Sequence, residues 1–294
     1  MAPSRVSLPV SLGALRRLVK EIQVSASDGK PLAVGGPREL AAVLRRELGK
    51  DAKPGAIRQG DDPRGAAVFV YVLGHESTGD DEQALKRARR ARVPIVAVAA
   101  GHVSDDVSIP FVLATDVVRV GAGKGFPVDA ITRAIASRLG EDGAPLASRV
   151  PVLRGPVCDV LVASFARRCG VLAVAVFVPG ADLPVLALNQ VRMVLRLEQA
   201  YGLDADPRER APEVLATIAA GLGLRALARE LLAVVPVAGW AVKGAVAYAG
   251  TRALGEATVK RLEIGMPGGD EAGPSTRPQA GASHGAPWWR AAAG

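Results

Sequence analysis

The chain has 294 residues, 49% of them hydrophobic, which excludes wholesale disorder and leaves room for one or two domains with a sizeable core. Aromatic residues are only 4%, so that core is made of Ala, Val and Leu, and the stacking platforms that single-stranded nucleic acid needs are scarce. A formal charge of +8 suits an anionic partner such as a nucleic acid or a bilayer face, but Lys and Arg are interleaved with Asp and Glu as on an ordinary solvated surface.

Residues 1–10 lack the basic start, apolar run and cleavage site of a secretory signal, which predicts a cytoplasmic start. In residues 11–23, Leu12, Leu15, Leu18, Val19 and Ile22 recur at helical spacing between Arg16, Arg17, Lys20 and Glu21, predicting an amphipathic helix that docks on the protein or on lipid. A regular alternation follows. Strands are expected at 31–34, 67–73, 94–99 and 111–114, and helices at 37–48, 80–92 and 127–139. Val-rich strands alternating with helices of this kind require a parallel sheet covered on both faces.

In such a sheet the first strand-to-helix turn is where phosphates bind, because glycines admit the ligand close to the backbone and the helix start supplies free N–H groups. That turn reads Gly35-Gly36-Pro37-Arg38-Glu39 and lacks the Lys and Ser/Thr of GxxxxGK[ST] as well as the spacing of GxGxxG. Gly35, Gly36 and Arg38 are therefore only weak candidates for a cofactor or small anion. The later cluster Gly121-Ala122-Gly123-Lys124-Gly125 runs into Phe126 and Pro127 and reads as a loop.

His75 and His102 follow two strands that end at one sheet edge, near Glu76, Ser77, Asp80 and Asp81 and near Ser104, Asp105 and Asp106. This is the one arrangement that hints at acid–base chemistry, and helix capping is its ordinary alternative. The only cysteines, Cys158 and Cys169, have neither CxxC spacing nor clustered histidines, so no disulfide and no metal site is expected.

Residues 140–156 turn to Gly, Pro and Ala, as a linker would. Beyond them, an apolar region at 165–188 is broken by Pro179, Gly180 and Asp182, and a second at 231–251 carries Lys243 as its only charge. Helices are expected at 190–201, with Val191, Val194, Leu195 and Leu197 inward, and at 211–230. Spanning a bilayer takes about 20 apolar residues, which only the second region approaches. Arg192, Arg196, Arg208, Arg210, Arg225 and Arg229 lie between the two regions, against the usual charge of an outer loop. A shallow hairpin and a buried bundle both remain open. Gly239, Gly244, Ala247, Gly250 and Gly255 suit close helix packing in either setting. Asp182, Asn189 and Arg192 are polar groups beside the apolar regions, candidates for a polar contact or a partner site. The tail at 265–294, rich in Gly, Pro, Ala and Ser around Trp288-Trp289, reads as disordered.

The first half, with Val68-Phe69-Val70-Tyr71-Val72-Leu73, Asp81-Glu82-Gln83-Ala84-Leu85-Lys86 and Val93-Pro94-Ile95-Val96-Ala97-Val98-Ala99, resembles the nucleotide-binding domain of Era-like GTPases. The guanine-reading Asn-Lys-x-Asp of that family is replaced by Ala99-Ala100-Gly101-His102-Val103-Ser104, so the resemblance implies a pseudo-GTPase. In the second half, Pro179-Gly180-Ala181-Asp182-Leu183-Pro184, Asn189-Gln190-Val191-Arg192-Met193, Val235-Pro236-Val237-Ala238-Gly239-Trp240 and Thr251-Arg252-Ala253-Leu254-Gly255-Glu256 resemble the YcjF-like family. That is a bacterial, membrane-associated domain of unknown function found behind GTPase domains.

The expectation is thus an α/β chain, a parallel-sheet GTPase-like domain followed by an all-α apolar helical domain. Its parts are an N-terminal helix (1–24), the degenerate GTPase-like domain (25–142), a linker (143–156), the YcjF-like helical domain (157–264) and the tail (265–294). The function expected is that of a non-catalytic, membrane-associated scaffold or regulatory protein at the cytoplasmic side of a bacterial inner membrane, with a protein partner and no catalytic residue, cofactor or nucleic acid. The alternatives are a cytoplasmic location, an anion- or nucleotide-binding regulator with a non-standard pocket, and a soluble enzyme using His75 and His102.

Overall fold

The computed structural model describes residues 13, 17, 18, 20–22, 24, 29–74, 78–100, 109–121, 123–175, 182–203 and 239–265. Five parallel strands form one sheet in the order β2-β1-β3-β4-β5: β1 (Leu32–Gly35), β2 (Ile57–Gln59), β3 (Val68–Leu73), β4 (Ile95–Ala100) and β5 (Val117–Val120). This is the flavodoxin-like order of doubly wound sheets, with the reversal of strand order between β1 and β3. Every residue of β1 and β3 is buried, because helices cover both faces.

On one face Leu32, Val34, Val68, Val70, Val96 and Val98 meet α1 (Arg38–Leu48) through Leu44 and Leu48, and α3 (Val128–Leu139) through Ile131 and Ile135. On the other face Phe69, Tyr71, Ile95 and Ala97 meet α2 (Gly79–Arg90) through Ala84, Leu85 and Ala88. A capping box starts α2: the Thr78 hydroxyl accepts from the Asp81 amide at 3.3 Å, and the Asp81 carboxylate accepts from the Thr78 amide at 2.7 Å.

The described helices that follow are the short α4 (Ala144–Ala147), then α5 (Arg154–Ala175), α6 (Asp182–Ala200) and α7 (Gly239–Ile264). They continue the core of the first sheet face, since Leu153, Leu161, Phe165, Met193, Leu197 and Leu262 belong to the same buried cluster as the strands. Residues 143–156, expected as a linker, run as consecutive helical turns with Ala144, Leu146, Ala147, Val150 and Leu153 buried. Their small and apolar residues are what packing between α3 and α5 requires, so the composition that suggested a hinge belongs to a packed corner.

Glycines set how closely α5 and α7 approach. A Cβ on Gly255 would lie 2.6 Å from a Val162 methyl, and one on Gly244 would lie 2.7 Å from a Val174 methyl and 3.2 Å from the Gly170 carbonyl. Gly250 faces open space and takes no part in this contact. Among the described residues no helix is long and apolar enough to cross a membrane.

Leu18 and Ile22 are buried with Val191 and Leu195 of α6, so this face of the N-terminal helical residues docks on the protein. The Gln199 side-chain amide donates to the Ile22 carbonyl at 3.1 Å, and Arg192 donates to Glu21 at 2.5 Å.

Three elements differ from expectation. The short strand predicted at 111–114 is a turn and a 3₁₀ helix (Ala114–Asp116), and the strand forms at Val117–Val120. Pro110 has no N–H for a ladder and Phe111 is left-handed with φ 67°, so the Val-rich run beyond them takes the sheet edge. The edge strand β2 has only three residues and no apolar alternation, and nothing in the sequence marked it. Helix α6 begins at Asp182, eight residues before the expected start at 190; Pro184 falls in its first turn, where a missing N–H costs nothing. The helix expected at 211–230 and the tail lie outside the described residues.

Candidate functional site: a closed phosphate turn

An open parallel sheet offers its ligand crevice outside the carboxyl ends of the strands, where the strand order reverses. Here that point is the Gly35-Gly36 turn between β1 and α1, beside the end of β3. Gly36 has φ 108°, and a Cβ on it would lie 2.1 Å from the Val72 carbonyl oxygen. Only glycine fits, because the turn is pressed against β3.

The amide that such a turn would offer a phosphate is already used. Gly36 N–H donates to the Asp61 Oδ1 at 2.9 Å. Asp61 follows Gly60, whose φ of 146° and N–H bond to the Val34 carbonyl at 2.9 Å fold the loop after β2 across the end of β1. Arg87 of α2 donates to the Asp61 carbonyl at 3.4 Å from the other side. A Cβ on Gly35 would lie 2.7 Å from the same Asp61 oxygen and 2.8 Å from the Phe69 ring, so this glycine leaves room for the carboxylate. The chain's own anion thus sits where an oxyanion would bind, and its charge repels a second one.

Arg38, the first residue of α1, is exposed, and its carbonyl accepts from the Gln59 side chain at 3.0 Å. No side-chain cap bonds the start of α1, which follows Pro37. Beneath the neighbouring strand end, the Tyr71 hydroxyl donates to Asp81 at 2.7 Å; burial first, and this bond second, push the Tyr71 pKa far up. Tyr71 is therefore a structural donor at neutral pH, and Asp81 is committed to it and to the cap of α2. His75, Glu76, Ser77, His102, Ser104, Asp105, Asp106 and His284 lie outside the described residues. Among the described residues no group of three or more His, Cys, Asp or Glu could hold a metal.

The three polar residues of the second half do not form one cluster. Asn189 turns inward and donates to Cys169 Sγ at 3.0 Å and to the Phe165 carbonyl at 3.4 Å, tying α6 to α5. Arg192 bridges Glu21 and, at 3.1 Å, Glu141, which also pairs with Arg168. Asp182 is the first residue of α6. Asn189 and Arg192 are thus ties between elements, Asn189 half-buried between α5 and α6 and Arg192 nearer the surface.

Sequence reasoning missed Asp61. Its partner lies 25 positions away, and the loop that brings them together follows a strand the pattern did not mark. The Asp61-Asp62-Pro63 run, a turn former by composition, was the signal the sequence offered.

Fold and site together define a protein of the doubly wound α/β class. Comparison with known proteins finds no matching family model, no matching curated protein and no matching solved structure.

Proposed function

We propose that this chain is a non-catalytic scaffold or regulatory protein, with a pseudo-GTPase sheet and a YcjF-like helical part that works at the cytoplasmic face of a bacterial inner membrane. The observation that carries the non-catalytic reading is the Asp61 carboxylate on the Gly36 amide. GTP hydrolysis depends on a Lys and a Mg²⁺-holding Ser or Thr at this turn; Pro37, Arg38 and Glu39 supply neither. The likeness to Era-like GTPases in element order then fits a domain kept for its surface.

Membrane contact is proposed as peripheral. Val171, Val174 and Val185 are exposed where α5 ends and α6 begins, and the sequence joining them contains Val176-Phe177-Val178. Exposed valines on both sides of an apolar connection suit shallow insertion into the headgroup boundary, and no described helix need cross the bilayer.

Because α5–α7 share a core with the sheet, truncation near 140 would expose that core, and point substitutions are the sounder test. The full chain should fractionate with membranes and be released by a carbonate wash, and the triple change V171S, V174S and V185S should shift it to the soluble fraction. Purified protein with GTP and Mg²⁺ should release phosphate at the buffer rate. A wild-type chain found wholly in the soluble fraction, or steady GTP turnover, would contradict the proposal.

A further inference from the structure

Two adjoining clefts open at the amino edge of the sheet, opposite the Asp61 turn. The larger, about 390 Å³, runs past the entries to β1, β3 and β4 and is lined by Lys30, Arg92, Arg138, Arg149 and Asp142 among others. The smaller, about 250 Å³, shares Arg92, Pro94 and Arg138 with it and adds Arg89, Asp116, Phe111 and Leu113. Together they form an elongated groove with a basic floor and an apolar end.

Internal bonds fix several of these cations. Arg138 Nε lies 3.2 Å from Asp116 Oδ2, and Arg149 donates to the Gly29 carbonyl at 3.0 Å and to the Lys30 carbonyl. Arg89 and Arg92 differ: among the described residues neither guanidinium has a hydrogen bond or ion pair, although both lie at the end of α2 where cations are favoured. Phe111 and Leu113 are 41% and 60% exposed at the apolar end. Among the described residues three non-glycines are left-handed, and two of them stand on the walls of this cleft, Arg92 at φ 56° and Phe111 at φ 67°. At Arg92 this is the left-handed turn that ends α2, with the Arg92 N–H on the Arg89 carbonyl at 3.1 Å and the Val93 N–H on the Ala88 carbonyl at 3.0 Å, and it fixes the backbone that carries this guanidinium.

We infer that this groove binds an acidic, apolar-bearing extended segment of a protein partner. Forked guanidiniums pair bidentately with carboxylates, and Phe111 with Leu113 offers the adjoining ledge to an apolar side chain. Asp116 and Asp142 in the lining disfavour a multiply charged phosphate, and a concave groove does not match the plane of a bilayer. An elongated shape suits a peptide better than a compact metabolite. This names the partner class of the proposed scaffold, yet lies at the other sheet edge from the closed turn, so the two readings fail separately.

The test probes the full chain against an array of short peptides graded in Asp/Glu content and in Leu/Phe content, with Asn/Gln counterparts as controls, at about 0.15 M salt so that loose surface attraction is screened. Binding should rise with both contents. In solution R92N should weaken the best peptide about tenfold, a loss of about 1.4 kcal/mol, and F111N several-fold, with unfolding midpoints unchanged because Asn tolerates the left-handed backbone. The inference is overturned if no peptide exceeds its amide control, if R92N binds as wild type, or if binding ignores apolar content and millimolar tripolyphosphate displaces it.

Discussion

At the residue scale, Gly36 is the most tightly constrained position of the turn after β1. Its φ of 108° and the 2.1 Å approach of a would-be Cβ to the Val72 carbonyl leave no side chain an acceptable position. Gly36→Ala should therefore lower stability by about 3 kcal/mol, combining left-handed strain with overpacking against backbone, as read from urea unfolding. Asp61→Asn should cost only about 1 kcal/mol, because the bond it weakens is solvent-exposed. A second residue-scale consequence concerns alkaline pH. Burial, with the charges of Asp159 and Glu263 behind it, pushes the Cys158 thiol up to about 12, and burial likewise raises Tyr71 and Tyr201. These folded-state values lie above the unfolded ones, so stability is intact below about pH 9 and falls as pH rises beyond it, since the unfolded chain loses protons that the native state retains. Cys158 alone should contribute a slope of about 1.4 kcal/mol per pH unit. Urea midpoints taken from neutral pH upward should show this fall, and Cys158→Ala should reduce it.

At the scale of elements, pattern and structure agree where burial is two-sided. Val68 to Leu73 and Ile95 to Ala100 are continuous apolar runs, and the sequence reads as strands there because helices cover both faces. Agreement fails where the backbone decides. Pro110 and the left-handed Phe111 displace the last strand to Val117, and Ile57-Arg58-Gln59 pairs at an edge without apolar alternation to announce it. The small residues of α7 were legible as a packing stripe, but only the structure separates Gly244 and Gly255, which meet α5, from Gly250, which does not. Gly255→Leu should therefore force α5 and α7 apart and lower stability by about 3 kcal/mol, and Gly250→Ala should leave it within about 1 kcal/mol of wild type, in either direction. Docking of the N-terminal helical residues rests on Leu18 and Ile22 against Val191 and Leu195, with Arg192 and Gln199 as polar ties. Ile22→Asp should release them, seen as new early cleavage by trypsin near Arg17 and Lys20 with the remaining fragment intact.

For the molecule as a whole, one buried cluster runs from the sheet through α3 into α5, α6 and α7. Composition suggested a hinge at 143–156 because Gly, Pro and Ala mark flexible chain and tight packing equally, and only the burial of Leu146, Val150 and Leu153 separates the two. The candidate site was legible in part. Absence of the phosphate-loop residues could be read from the turn itself, whereas its closure by Asp61 depends on a loop whose path Gly60 sets. The amino-edge groove draws on Lys30, Arg92, Arg138 and Arg149, which are scattered along the sequence and read there as ordinary surface charge. Among the described residues, the first strand-to-helix turn at the ligand end of the sheet is occupied by the chain's own Asp61. The most direct measurement is the amide resonance of Gly36 in the full-length protein during titration with GTP and Mg²⁺. The account predicts that this resonance stays in place to millimolar nucleotide, because Asp61 holds the N–H. A saturable shift of Gly36, with those of its neighbours in the turn, would mean that nucleotide displaces the carboxylate, and the reading of a closed, non-catalytic domain would be contradicted.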